Sequence, residues 1–132
     1  MTQKRIFSLL VFIVALSGLL LFSCQHGTSG KTNSSDNSVN WNDSCFALLK
    51  QALTYYNNNE TDSLEQHAAW SMEVCAEHNQ RQWYYNIWAV LAEALVWDNQ
   101  FDKASDEAHR MQEEAEKRNE PYGLFLAYKT LG

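Results

Sequence analysis

Trp88-Ala89-Val90-Leu91-Ala92-Glu93-Ala94-Leu95-Val96-Trp97-Asp98-Asn99-Gln100-Phe101-Asp102-Lys103-Ala104-Ser105-Asp106-Glu107-Ala108 is the stretch that decides the fold. Ile87, Val90, Leu91, Ala94 and Leu95 recur at helical spacing, and Asp98-Asn99-Gln100 then breaks the apolar pattern. Phe101, Ala104, Ala108, Met111 and Ala115 resume it, so the segment reads as two helices joined by a short turn. The same design precedes it. Phe46, Leu49, Leu53 and Tyr56 form one stripe, Asn57-Asn58-Asn59 a turn, Thr61 an expected N-cap, and Leu64, Ala68, Ala69 and Met72 the next stripe.

The two hairpins are copies. At an offset of forty residues Leu48 meets Trp88 and Tyr128, Ala52 meets Ala92, Tyr55 meets Leu95, Ala68 meets Ala108 and Asn79 meets Asn119, with no gap. Self-similarity at such a period predicts an all-α solenoid of helical hairpins, about two and a fraction repeats long, over residues 42–132. Pro121 suits the first turn of a further helix. Leu131-Gly132 falls midway along the first helix of a third unit, and Leu124, Phe125, Tyr128 and Leu131 lack a later partner, so the chain is expected to be the start of a longer protein.

Composition narrows the functions. Between Lys31 and Glu120 there is neither Gly nor Pro, which removes the usual supply of tight hairpin turns and phosphate-cradling loops. Ten basic residues stand against sixteen acidic ones, and two of the basic ones, Lys4 and Arg5, precede the first apolar run. The remaining surface repels phosphate backbones, so nucleic acid is not an expected partner.

That apolar run, Ile6 to Phe22, follows the basic pair in the manner of a secretory signal over residues 1–23, a hydrophobic helix ahead of the repeats. Its reach of about 25 Å is just short of a hydrocarbon core, and a retained membrane anchor is the alternative reading. Residues 24–41 are rich in Ser, Thr, Asn and Gly and read as a disordered polar linker. Leu21-Phe22-Ser23-Cys24 resembles the bacterial lipobox, which implies lipidation at Cys24. Gln25 after the Cys, by the same resemblance, implies sorting to the outer membrane, facing the periplasm.

Residues able to do chemistry are sparse. His109 with Glu113, and Glu77 with His78, are ligand pairs without a third member, so no metal and no cofactor are expected. Cys45 lacks a motif for a nucleophile, and an enzyme is not expected. Cys45 and Cys75 lie at the same end of the first hairpin, where they are either two packed free thiols or a bridge contributing about 3 kcal/mol.

Trp88, Leu91-Ala92, Leu95, a turn, Phe101, Ala104 and Ala108 together resemble the tetratricopeptide repeat, with Tyr128, Leu131 and Gly132 opening another unit. The first unit departs from it: Gln51 stands where Leu is expected and Leu64 where a small residue is expected. The spacing of forty also exceeds that family's usual value of about thirty-four. The resemblance implies a protein- or peptide-binding module whose groove is lined by the first helix of each unit. Here that groove would hold Phe46, Leu49, Leu53, Tyr56 and Asn57, then Asn86, Ala89, Glu93, Val96 and Trp97, then Leu126 and Lys129. Tyr56 and Trp97 are the expected anchors and Glu93 the expected polar contact, for a basic or neutral partner. The alternative is that several of these side chains pack between hairpins. The signal, linker and repeats together are similar to the extracytoplasmic part of repeat-containing sensor kinases and regulators of Bacteroides-type bacteria. The competing reading is an outer-membrane lipoprotein that captures a glycan or peptide.

Overall fold

The computed structural model describes residues 38–132, and every regular element among them is an α-helix. They are α1 (Trp41–Asn58), α2 (Thr61–Glu77), α3 (Arg81–Trp97), α4 (Phe101–Arg118) and α5 (Pro121–Leu131). The expected signal, Cys24 and the linker up to residue 37 lie outside the described residues. None of the described helices is long and apolar enough to cross a membrane.

The four turns are one structure repeated every twenty residues. Asn59, Asn79, Asn99 and Asn119 take the left-handed conformation, with φ of 59°, 56°, 61° and 55°. Asparagine tolerates this region better than other non-glycine residues, which is how the chain turns four times without glycine. After each Asn, the next amide reaches back across the helix end: Glu60 to Tyr55 at 2.9 Å, Gln80 to Cys75 at 2.7 Å, Gln100 to Leu95 at 2.9 Å and Glu120 to Ala115 at 2.9 Å. This pattern closes the orphan carbonyls of the helix just finished. The carbonyl of the same residue then accepts from the helix just begun, as Glu60 does from the Leu64 amide at 2.9 Å.

Thr61 is therefore not the N-cap. It is the first residue of α2, and Glu60 holds the cap position without a side-chain hydrogen bond. The turn itself fixes where α2 starts. Among the described helices only α1 has a side-chain cap, with Asn40 Oδ1 accepting from the Asp43 amide.

Consecutive helices run antiparallel. The Trp41 ring stacks on His78 from opposite ends of the first pair, and Trp88 Nε1 donates to Glu107 in the second. Helix α3 touches all four others, which is why its sequence is apolar on almost every side. One core gathers Cys45, Leu49 and Ala52 with Leu64, Ala68 and Cys75, and closes on Ile87, Leu91 and Leu95 of α3. A second sets Tyr85 and Trp88 against Met111 and Ala115 of α4 and Leu126 and Ala127 of α5. Trp88, Leu91, Ala92, Leu95, Ala104 and Ala108 are all buried, as the repeat register requires.

Other expected stripe positions are not core. Ala69 and Phe101 are exposed, and Phe46 lies partly open against the Trp83 ring. Phe101 opens its helix about one turn before the first buried residue, Ala104. The register also accounts for Gln51. Its counterpart Leu91 belongs to the core shared with α1 and α2, whereas Gln51 is exposed. Cys45 and Cys75 are neighbouring free thiols, both fully buried. Burial, then the hydrogen bond with Cys45, holds the Cys75 thiol well above its ordinary titration range.

Candidate functional site

Helices α1, α3 and α5, the first members of successive pairs, lie side by side and parallel. Trp83 Nε1 donates to Asn42 Oδ1 at 2.8 Å near one end of α1 and α3, and the Tyr56 hydroxyl donates to Glu93 Oε1 at 3.0 Å near the other. Between α3 and α5, the Tyr122 hydroxyl donates to Asn86 Oδ1 at 2.9 Å. Each cross-link joins residues roughly one repeat apart, so the offset of forty places equivalent faces in one row.

Of the five expected binding residues, Tyr56, Glu93 and Trp97 come together. Trp97 is 40% exposed and touches the Tyr56 hydroxyl, and Glu93 is half-buried beneath them. Burial, then the charge of Glu93 and its hydrogen bond, pushes the Tyr56 phenol well above its ordinary range, while Trp97 works the other way. The phenol is thus a neutral donor held by Glu93. Asn57 is exposed at the end of α1, one residue beyond Tyr56. Asn86 stands further back on α3, its amide nitrogen donating to the Gln82 carbonyl and its oxygen taken by Tyr122. Leu49 and Leu126, also expected in the groove, are instead buried in the two cores.

Sequence reasoning missed a polar cluster at the other end of α3. Arg81 Nε donates to Glu120 Oε1 at 3.0 Å, and an Nη donates to Glu120 Oε2 at 2.8 Å, to Glu114 at 3.2 Å and to the Tyr85 hydroxyl at 3.1 Å. The Tyr85 hydroxyl donates to Glu120 at 2.5 Å, and Arg81 also lies 4.0 Å above the Tyr84 ring. Hydrogen bonds from Arg81, opposed by burial and helped by Tyr85, hold the Glu120 carboxyl below the usual carboxylate range. For Glu114 burial acts upward, but Arg118 and Arg81 together outweigh it. This cluster ties α3, α4 and α5 together and has a structural consequence. A carboxyl with a lowered folded-state value stabilises above its unfolded value, and that stabilisation is lost as pH falls through the folded one. Thermal stability is expected to fall as pH drops below about 4.5, with Glu120→Gln flattening that decline and starting from a lower midpoint at neutral pH. A Glu120→Gln curve parallel to the parent's would remove Glu120 from this role.

A cleft of about 620 Å³ lies between α1 and α2 and is lined by Gln51 and Tyr55 with Gln66, His67 and Trp70. His67 is buried, and its Nε2 donates to the Leu48 carbonyl at 2.8 Å. Its lining carries no Asp, Glu, Lys or Arg, and among the described residues no buried side-chain nitrogen or oxygen lacks a partner. No three His, Cys, Asp or Glu side chains among them converge on one point either, and His109 Nδ1 is engaged with the Ser105 carbonyl. Compared with protein-family models, with curated proteins and with solved structures, the chain gives no match.

Proposed function

We propose that residues 42–132 form a tetratricopeptide-like helical solenoid that binds a protein or peptide without catalysing a reaction. The observation that carries this reading is the convergence of Tyr56, Glu93 and Trp97 on a row of parallel helices, where residues of two repeats offer one surface. Such a surface suits an extended segment. Trp97 supplies an exposed aromatic anchor, and Glu93, with the Tyr56 hydroxyl, supplies a polar contact beside it. The excess of acidic residues favours a basic or neutral partner, whose association slows as salt is raised. In this reading the module is exported and held at the membrane through Cys24 or the apolar N-terminal run, facing the periplasm as the interaction or sensor segment of a signalling protein. Capture of a glycan or peptide by an outer-membrane lipoprotein is the second reading, favoured by the neutral, aromatic-lined cleft around Trp70.

A photocrosslinking amino acid in place of Trp97 in the full chain, irradiated in living cells, distinguishes the two. A discrete protein adduct from position 97, absent when the probe replaces exposed Glu113 on α4, is the expected result. Adducts from position 70 alone would move the binding surface to the cleft, and none from either would sink the interaction reading.

A further inference from the structure

Half-buried carboxylates in this chain come with a cation. Glu65 is paired with Lys103, Glu107 with Arg110, Glu114 with Arg81 and Arg118, and Glu120 with Arg81. Glu93 is the exception. It is half-buried, and no Lys or Arg among the described residues forms an ion pair with it. Its Oε1 accepts from the Tyr56 hydroxyl, a neutral donor that leaves the negative charge in place. Drawing a charge partly out of water is unfavourable unless an opposite charge meets it, so Glu93 is a position at which an incoming cation is stabilised.

The rings beside it decide which cation. In two other places a carboxylate stands next to an aromatic ring, and in both an arginine covers the ring and pairs with the acid. Arg110 lies 5.8 Å from the centre of the Trp88 ring and binds Glu107, which also accepts from Trp88 Nε1 at 2.8 Å. Arg81 lies 4.0 Å above the Tyr84 ring and binds Glu120 and Glu114. The lysines divide these tasks: Lys50 lies over Phe46, and Lys103 pairs with Glu65. Glu93 repeats the arginine setting. Trp97 follows it by four residues on the same side of α3, is 40% exposed and touches the Tyr56 hydroxyl. A flat guanidinium stacks on an indole while its N–H groups reach a carboxylate, and the compact ammonium of a lysine matches both less well. Further helical pairs would lengthen the row of α1, α3 and α5 rather than cover this face.

We propose that Glu93, Trp97 and Tyr56 form a guanidinium subsite that seats an arginine side chain of the extended partner segment, stacked on Trp97 and hydrogen-bonded to Glu93. This rests on the partner-binding reading above and narrows the partner to one that carries an arginine at this point. The excess of sixteen acidic residues over ten basic ones favours the same occupant.

The test is a titration of the full chain with the peptide acetyl-Gly-Ser-Arg-Ser-Gly-amide, in a mild non-ionic detergent because of the apolar run Ile6 to Phe22. Binding is read from the indole N–H signals of the five tryptophans in nitrogen-15 spectra, with Trp97 identified by its loss in Trp97→Phe. The Trp97 signal is expected to move and to saturate in the millimolar range. The same peptide with citrulline, the neutral isostere, is expected to bind at least about 10-fold more weakly, with a lysine peptide in between. Glu93→Gln keeps an acceptor for Tyr56, and is expected to weaken the arginine peptide by about 10-fold while leaving the citrulline peptide unchanged. A merely structural role for Glu93 would not produce that selective loss. Should circular dichroism show lost helicity in Glu93→Gln, the comparison of arginine with citrulline on the parent decides alone. An unmoved Trp97 signal, equal affinity for the two peptides, or an equal effect of Glu93→Gln on both overturns the proposal. Crosslinking from position 97 reports separately on the partner-binding reading: an adduct there beside any of these results retires the subsite and keeps that reading, whereas no adduct retires the partner segment and its arginine together.

Discussion

Trp88→Ala is expected to lower the unfolding free energy by about 3 to 5 kcal/mol, and Trp97→Ala by less than about 1 kcal/mol. The residues are of the same type, nine positions apart on one helix, and differ only in surroundings. Trp88 is 4% exposed and lies in the core that joins α3, α4 and α5. Its ring meets Tyr84 edge-on at 5.5 Å, and its indole nitrogen donates to Glu107 at 2.8 Å, so truncation opens a cavity and strips Glu107 of a donor. Trp97 stands at the end of the helix with much of its ring in water. Urea denaturation of the two variants under identical conditions measures the difference. Equal losses would mean that Trp97 is a structural residue and would remove the preferred anchor from the proposed binding surface.

Gly123→Ala is expected to cost about 1 kcal/mol net, although alanine is the better helix former. Position 123 is an ordinary helical position on α5, so glycine is there for space rather than for backbone freedom. A methyl group would come within 2.5 Å of Tyr85 Cζ and 2.8 Å of the Ala115 Cβ, well inside contact distance. Tyr85 cannot swing aside cheaply, because Arg81 donates to its hydroxyl and the hydroxyl donates to Glu120. Overpacking of this kind costs about 1 to 3 kcal/mol, against a gain in helix propensity of about 0.5 to 1 kcal/mol. Tyr85→Ala vacates the contested space. In a double-mutant cycle the two changes should be coupled by about 1 kcal/mol or more, with Gly123→Ala less costly once the ring is gone and only the Ala115 Cβ contact remains. Additive effects would show that the helix rather than the contact sets the cost.

The helical character and the main buried stripes were open to reading because they rest on periodicity. Ala104 and Ala108 repeat at one-turn spacing, and small residues there let α4 approach α3. The turns at Asn57-Asn58-Asn59 and Asp98-Asn99-Gln100 were legible as breaks in the apolar pattern, whereas the shared construction of all four shows only in the spacing of Asn59, Asn79, Asn99 and Asn119 at intervals of twenty. An offset of forty pairs Asn59 with Asn99 and Asn79 with Asn119 and so hides the interval of twenty. Other features have no local signature. Arg81 meets Glu120 across thirty-nine residues, and an arginine at a helix start beside a glutamine looks like a solvated end until the third pair is folded onto it. The same limit applies to the candidate site. The register could bring Tyr56 toward Glu93, since the two lie about one repeat apart, but it could not show that Leu49 and Leu126 turn inward from the same helices.

The turns also govern how this domain can change length. Each leaves no slack: one residue finishes a helix and caps the next, so every helix is set at a fixed rotation relative to the last. Inserting a single residue within a helix would swing all that follows by about 100° and carry Trp88 or Met111 out of its core. Two insertions would not restore the alignment, and neither would a compensating loss in the following turn, which has nothing to give up. A change of length that keeps this packing therefore adds or removes a whole helical pair, a step of forty residues.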